Sequence, residues 1–109
     1  MIEILIADDH AIVRRGLKQI LAETQDIVVA GEAANGREAR DLVRQRDWDV
    51  LVLDITMPGL DGLSVLAKVR EEQIDVPVVI MTGFGTMQKA IRAVQLGAYD
   101  YITKPLDVD

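Results

Sequence analysis

Four apolar runs, each stopping on a polar residue and each separated from the next by helix-forming sequence, constrain this chain more than any other feature. Ile4-Leu5-Ile6-Ala7 runs into Asp8-Asp9, and Val50-Leu51-Val52-Leu53 runs into Asp54. Val78-Val79-Ile80-Met81 runs into Thr82, and Tyr101-Ile102-Thr103 runs into Lys104-Pro105. Apolar runs without alternation are what strands covered on both faces require. With helical stretches between them, the pattern predicts a parallel α/β sheet. Ligands of such sheets bind outside the carboxyl ends of the strands. Three carboxylates, a hydroxyl and an ammonium fall at those ends.

The full reading is five strands and four helices. Strands are expected at Ile2–Ala7, Ile27–Gly31, Val50–Leu53, Pro77–Met81 and Tyr99–Thr103. The first helix, about 11–23, puts Val13, Leu17, Ile20 and Leu21 on one face. The second, about 36–46, turns Ala39, Leu42 and Val43 inward, and the third, about 62–72, does so with Leu63, Leu66 and Val69. The fourth, about 86–96, is expected to bury Met87, Ala90, Ile91 and Val94, with Gly97 as its C-cap glycine. Met57-Pro58-Gly59-Leu60-Asp61-Gly62 is turn chemistry. Right-handed crossovers wind these elements into an open, doubly wound sheet. A fifth helix is expected to cover the sheet beside the first, and the chain stops at Asp109 before it. Either the chain is a truncated piece, or a partner or a second copy, by dimerisation or domain swapping, covers that face.

At 109 residues the chain is one domain, 1–109, with enough length for a core and little to spare. Without cysteine there is neither a disulfide framework nor a thiolate metal site. A net charge of −6 with dispersed arginines disfavours direct contact with nucleic acid. No apolar run approaches the roughly 18 residues of a membrane span, and Met1-Ile2-Glu3 lacks the basic region of a signal peptide. These features fit the cytoplasm.

Carboxylates converging at strand ends repel one another, and a divalent cation relieves that repulsion. Oxygen donors without a His or Cys cluster point to Mg²⁺, which takes one or two carboxylates, waters and a phosphate oxygen. Asp8, Asp9 and Asp54 are the candidate ligands, with the backbone carbonyl of Thr56 as a further one. Asp54 can also act as a nucleophile, since carboxylates form acyl phosphates in covalent catalysis. Thr82 and Lys104 are placed to receive the oxygens of a transferred phosphoryl group. Taken singly, Asp8-Asp9 reads as a turn or helix cap, Asp54 as turn chemistry, Thr82 as a cap and Lys104 as a solvated charge. Their joint placement at one sheet edge is what argues for a site. His10, the sole histidine, is expected near the pocket without touching it. Trp48, Met57 and Met87 read as packing, and Arg14-Arg15 as a solvated helix face that could border a docking surface.

The set Asp8-Asp9, Asp54, Thr82 and Lys104-Pro105, with Met57-Pro58-Gly59 after the acceptor, resembles the receiver domain of bacterial two-component response regulators. The resemblance runs from Ile4 to Pro105. It implies the flavodoxin-like strand order 2-1-3-4-5. It also implies that Asp54 accepts a phosphoryl group from a phosphohistidine on a sensor histidine kinase. Asp9 would bind Mg²⁺ directly, Asp8 mostly through water, and the Thr56 carbonyl would complete the protein ligands. Thr82 and Tyr101 would form a switch pair, Lys104-Pro105 a cis peptide, and Thr56 and Phe84 would help set the lifetime of the phosphorylated state. Asp8-Asp9-His10 and Val28-Val29-Ala30-Gly31-Glu32-Ala33 are similar to regulators with a LuxR-type output. Met81-Thr82-Gly83-Phe84-Gly85-Thr86 and Leu96-Gly97-Ala98-Tyr99-Asp100-Tyr101 look more like regulators feeding a sigma-54-dependent ATPase.

Three other functions compete. Haloacid-dehalogenase-type phosphatases also use an aspartyl phosphate and Mg²⁺, but carry an Asp two residues after the nucleophile, where this chain has Thr56. A flavodoxin-like cofactor binder needs a phosphate cradle after the first strand, where Asp8-Asp9-His10 would repel an anion. A receiver used only for protein contacts would be expected to lack an acid or the lysine, and none is missing here.

Overall fold

The computed structural model describes residues 1–83 and 87–104. Along the chain the elements are β1 (Ile2–Ala7), α1 (Ala11–Ala22), β2 (Ile27–Ala33), α2 (Gly36–Gln45), β3 (Val50–Asp54), α3 (Gly62–Glu71), β4 (Val78–Thr82), α4 (Met87–Gln95) and β5 (Asp100–Thr103). All strand pairs are parallel, and the sheet order is β2-β1-β3-β4-β5. The sequence-based elements are all present, with ends displaced by a residue or two. The strand order is the expected one.

The two faces of the sheet are covered differently. Leu5, Ala7, Leu51, Leu53, Val78 and Ile80 point into a core closed by α2, α3 and α4 through Ala39, Val43, Val65, Leu66, Val69, Ala90 and Ala93. Ile4, Ile6, Val52 and Met81 point the other way, against Leu17, Val13 and Leu21 of α1. Among the described residues α1 is the only helix on that second face, and Val50, Val79 and Ile102 there are half-buried. This matches the expectation of four helices. None of the described helices is long and apolar enough to cross a membrane.

One buried face was misassigned by periodicity. Met87, Ile91 and Val94 form an apolar stripe on α4, yet they are 41%, 52% and 43% exposed, while Ala90 and Ala93 are fully buried. The helix lies close to the sheet through two small residues and turns its large apolar ones to solvent. A spacing of i, i+4, i+7 identifies a stripe but not which way it faces.

Local chemistry fixes the helix starts around the carboxyl edge. Asn35 caps α2 by accepting from Glu38 N at 2.9 Å, while Glu38 Oε1 reaches back to accept from Ala34 N, one residue before the cap, at 3.2 Å, a variant of the capping box. Asp61 caps α3 by accepting from Ser64 N at 2.9 Å. β2 runs two residues beyond its expected end because a register shift between Ile4 and Leu5 lets Leu5, Ile6 and Ala7 pair with Gly31, Glu32 and Ala33. Trp48 packs on Gly31 there, closely enough that a Cβ would stand 2.6 Å from its ring. The added pairing carries the ladder to the edge of the site, where Asp8 N donates to Ala33 O at 3.0 Å.

Candidate functional site

The strand order reverses between β1 and β3, and the crevice at their carboxyl ends is where open α/β sheets bind ligands. Asp8 follows β1 and Asp54 ends β3. Thr82 ends β4 on the neighbouring side, and Lys104 follows β5. The local sequence explains the placement, because each apolar run is drawn into the sheet core until its first polar residue emerges at the edge. A pocket of about 330 Å³ opens there, lined by Asp9, His10, Asp54, Thr56, Pro58, Gly83 and Lys104. Asp8, fully buried, lies beneath it, and Asp54 is only 3% exposed.

Lys104 is the cation of this cluster. Its Nζ stands 2.7 Å from Asp8 Oδ2 and 3.1 Å from Asp54 Oδ2. Both oxygens are buried and meet Nζ as ion pairs, without a well-aligned hydrogen bond. The other oxygen of Asp54 accepts from Thr56 N at 3.2 Å. Burial pushes the Asp54 carboxyl above its ordinary range, and the charge of Asp8 adds to this. The Thr56 N–H and Lys104 pull the other way without cancelling it. For Lys104 burial opposes the charge, but contacts with Asp8 and Asp54 together outweigh it and raise the ammonium above its ordinary value. One ammonium thus holds two buried carboxylates, with a third, Asp9, at the pocket wall. The site is underneutralised.

Close backbone approach sets the position of Asp54. At Gly62, the first residue of α3, a Cβ would lie 2.4 Å from Asp54 O and 2.7 Å from Ile55 Cα. Gly62 N donates to Ile55 O at 3.1 Å. Only a glycine lets the start of α3 rest directly on the end of β3.

The structure therefore brings together Asp8, Asp9, Asp54, Thr56 and Lys104. Thr82 is fully buried at the end of β4, its hydroxyl donating to Gly83 O at 3.4 Å. Tyr101 is on β5 and 37% exposed. The Lys104-Pro105 peptide and Phe84 involve residues outside those described.

Two residues were misread from sequence. His10 touches the acids: Nδ1 is 3.0 Å from Asp8 Oδ1 and 3.1 Å from Asp9 Oδ1. One ligand atom from each of Asp8, Asp9, His10 and Asp54 can be chosen so that all lie within 4.8 Å of one another. Oxygen donors at this spacing fit a hard divalent cation. Arg14, read as solvated, donates from Nη1 to Asp8 O at 2.7 Å and from Nε to Glu32 Oε1 at 3.0 Å. It ties the β1–α1 turn to β2. Its i+4 spacing from His10 is the sequence signal that would have found it, since that spacing puts both on the helix face nearest the strand end.

A sheet of order 2-1-3-4-5 with acids at its switch point and a lysine after β5 defines the class, and comparison with known proteins gives the family. Residues 4–109 match the model of the response regulator receiver domain. The chain belongs to that family. It is 36% identical over 104 residues to the nitrate/nitrite response regulator protein NarL of Escherichia coli strain K12, covering 95% of this chain and 48% of NarL. It is 40% identical over 106 residues to protein-glutamate methylesterase/protein-glutamine glutaminase 1 of Syntrophomonas wolfei, covering 94% of this chain and 30% of that protein. The chain thus spans half or less of these curated relatives. Among solved structures, the CheX-CheY-BeF3-Mg²⁺ complex from Borrelia burgdorferi contains a chain that superposes with a TM-score of 0.88 at 30% identity, covering 97% of this chain and 80% of that one.

Proposed function

We propose that this chain is a phosphorylation-dependent signalling switch in which Asp54 accepts a phosphoryl group from the phosphohistidine of a sensor histidine kinase. An Asp54 carboxylate oxygen attacks phosphorus, the P–N bond breaks, and the imidazole of the kinase leaves with its electron pair and takes up a proton. The observation that carries this reading is the state of Asp54, buried at the pocket floor with its carboxyl pushed above its ordinary range and one lysine shared with Asp8. Phosphoryl transfer depends chiefly on positioning and on neutralising charge on the transferred oxygens.

Asp9, Asp54 and the Thr56 carbonyl would hold Mg²⁺, with Asp8 acting mostly through water. The Mg²⁺ in the CheX-CheY-BeF3 complex supports, by likeness, a divalent cation as the pocket's partner, and the acidic cluster supports the choice of ligands. The cation supplies charge neutralisation for the incoming phosphoryl group. Lys104 exchanges part of its contact with Asp54 for a phosphoryl oxygen, and Thr82 donates its hydroxyl to another. Thr82 and Tyr101 then act as the switch pair, passing the change to an output domain or partner. Likeness to the transcriptional regulatory protein YdfI of Bacillus subtilis favours an output in transcription regulation, and a cytoplasmic location belongs to the same proposal. We assign the chain no turnover beyond its own phosphorylation and dephosphorylation, and no direct contact with nucleic acid.

Intact mass after incubation with acetyl phosphate tests the reading. One phosphoryl adduct that requires Mg²⁺ and is lost in Asp54→Asn is expected. An equal adduct on the variant would overturn the assignment of the acceptor.

A further inference from the structure

Among the titratable residues lining the pocket, Asp9, His10, Asp54 and Lys104, only His10 is left without a role by the proposed reaction. It lies at the N-terminus of α1, and its backbone is fixed, since His10 N donates to Asp8 Oδ1 at 2.8 Å. Its ring makes no cap hydrogen bond to α1. Although the side chain is 59% exposed, the ring turns back over the acids, with Nδ1 3.0 Å from Asp8 Oδ1 and 3.1 Å from Asp9 Oδ1. A single N–H proton can serve these two oxygens only as a shared, three-centre bond. A cation can meet all three atoms. Ligand atoms bound at about 2.1 Å and at right angles stand about 3.0 Å apart, which is the spacing of Nδ1 from each of the two oxygens. A second observation points the same way: the buried oxygens Asp8 Oδ2 and Asp54 Oδ2 have a single ammonium between them, Lys104 Nζ at 2.7 and 3.1 Å, which leaves the acids underneutralised.

We infer that His10 is a nitrogen ligand of the cation site, and that the pocket takes first-row transition cations through Nδ1 as well as Mg²⁺ through oxygen alone. The inference rests on the proposed metal-assisted reading of the same pocket and adds a ligand that the reading does not use. Imidazole favours Co²⁺, Ni²⁺ and Zn²⁺, whereas Mg²⁺ prefers carboxylate, carbonyl and water. For Nδ1 to bind, the ring must be neutral with its proton on Nε2, and that edge is the one left free for solvent. The acids hold either cation, and His10 discriminates between them.

The test uses tag-free protein, because His10 is the sole histidine in the chain and a tag would add others. Co²⁺ and Mg²⁺ are titrated calorimetrically into the wild type, His10→Asn and His10→Ala, with circular dichroism confirming that the variants fold. Both variants are expected to lose at least about tenfold in Co²⁺ affinity while Mg²⁺ affinity stays within about twofold. The Co²⁺-loaded wild type should also show one strongly shifted exchangeable imidazole proton in its NMR spectrum. If Mg²⁺ binds and Asp54 is phosphorylated, but Co²⁺ affinity ignores both substitutions and no shifted proton is seen, His10 is not a ligand and the proposed function survives. A wild type that binds neither cation overturns both readings.

Discussion

Replacing Lys104 by Met keeps the length of the side chain and removes the charge that holds two buried carboxylates. In the folded chain Nζ is 2.7 Å from Asp8 and 3.1 Å from Asp54, and its side chain is 16% exposed. Breaking a buried pair by deleting one partner costs about 3–5 kcal/mol, because the other charge is left uncompensated. Here two carboxylates are stranded, but Asp54 lines the open pocket, so the lower end, about 3 kcal/mol, is the better figure. A domain of this size has a total of only about 5–15 kcal/mol. With a urea slope of about 1–3 kcal/mol/M, the midpoint should fall by about 1–3 M.

The loss should depend on pH, and its direction follows from the carboxylates. The folded state raises Asp54 above its ordinary value, so this group favours the fold below the unfolded value near 3.9, and that contribution is lost as pH rises through the higher folded value. Removing Lys104 pushes Asp54 further up. The deficit of Lys104→Met should therefore be largest near neutral pH and shrink in mildly acidic buffer. Mg²⁺ should restore part of it. Urea unfolding in both buffers, with and without Mg²⁺, reads all three effects. An equal loss in both buffers would mean that Lys104 stabilises by packing, and the charge argument would be wrong.

Other substitutions probe separate parts of the account. Asp54→Asn removes one of the crowded acids, so the metal-free protein should gain of the order of 1 kcal/mol near neutral pH, with the gain fading on acidification in thermal melts. Gly62→Ala drives a methyl group against Asp54 O; the strain should cost about 1–3 kcal/mol and slow phosphorylation by acetyl phosphate, and a wild-type rate would show that the approach of α3 does not position Asp54. Leu66→Ala, in the core, should cost about 2–5 kcal/mol. Ile91→Ala, on the exposed stripe of α4, should stay within about 0.5 kcal/mol, and a core-sized loss there would contradict the orientation of that helix.

The strand ends and most of the acid set were legible in the sequence for one reason. A strand covered on both faces tolerates no polar residue until it leaves the sheet, so the first Asp, Thr or Lys after each run marks the edge. The face of α4 was not legible, because Met87, Ile91 and Val94 carry the same spacing as a core stripe and only the tight seating of Ala90 and Ala93 decides between the two faces. The turn of His10 toward the acids was hidden as well. It depends on a backbone donation to Asp8 Oδ1 that fixes the β1–α1 turn, and residue order does not show such a bond. Arg14 was missed in the same way, since its partner is a backbone carbonyl.

The most direct measurement is to locate the phosphoryl group chemically. The chain is phosphorylated with acetyl phosphate and Mg²⁺, reduced with borohydride so that an acyl phosphate becomes homoserine, digested and sequenced by tandem mass spectrometry. Homoserine at position 54 alone, and none when Mg²⁺ is withheld, is the predicted result. Homoserine at Asp8 or Asp9 instead, or a phosphoryl group that resists borohydride, would contradict the account.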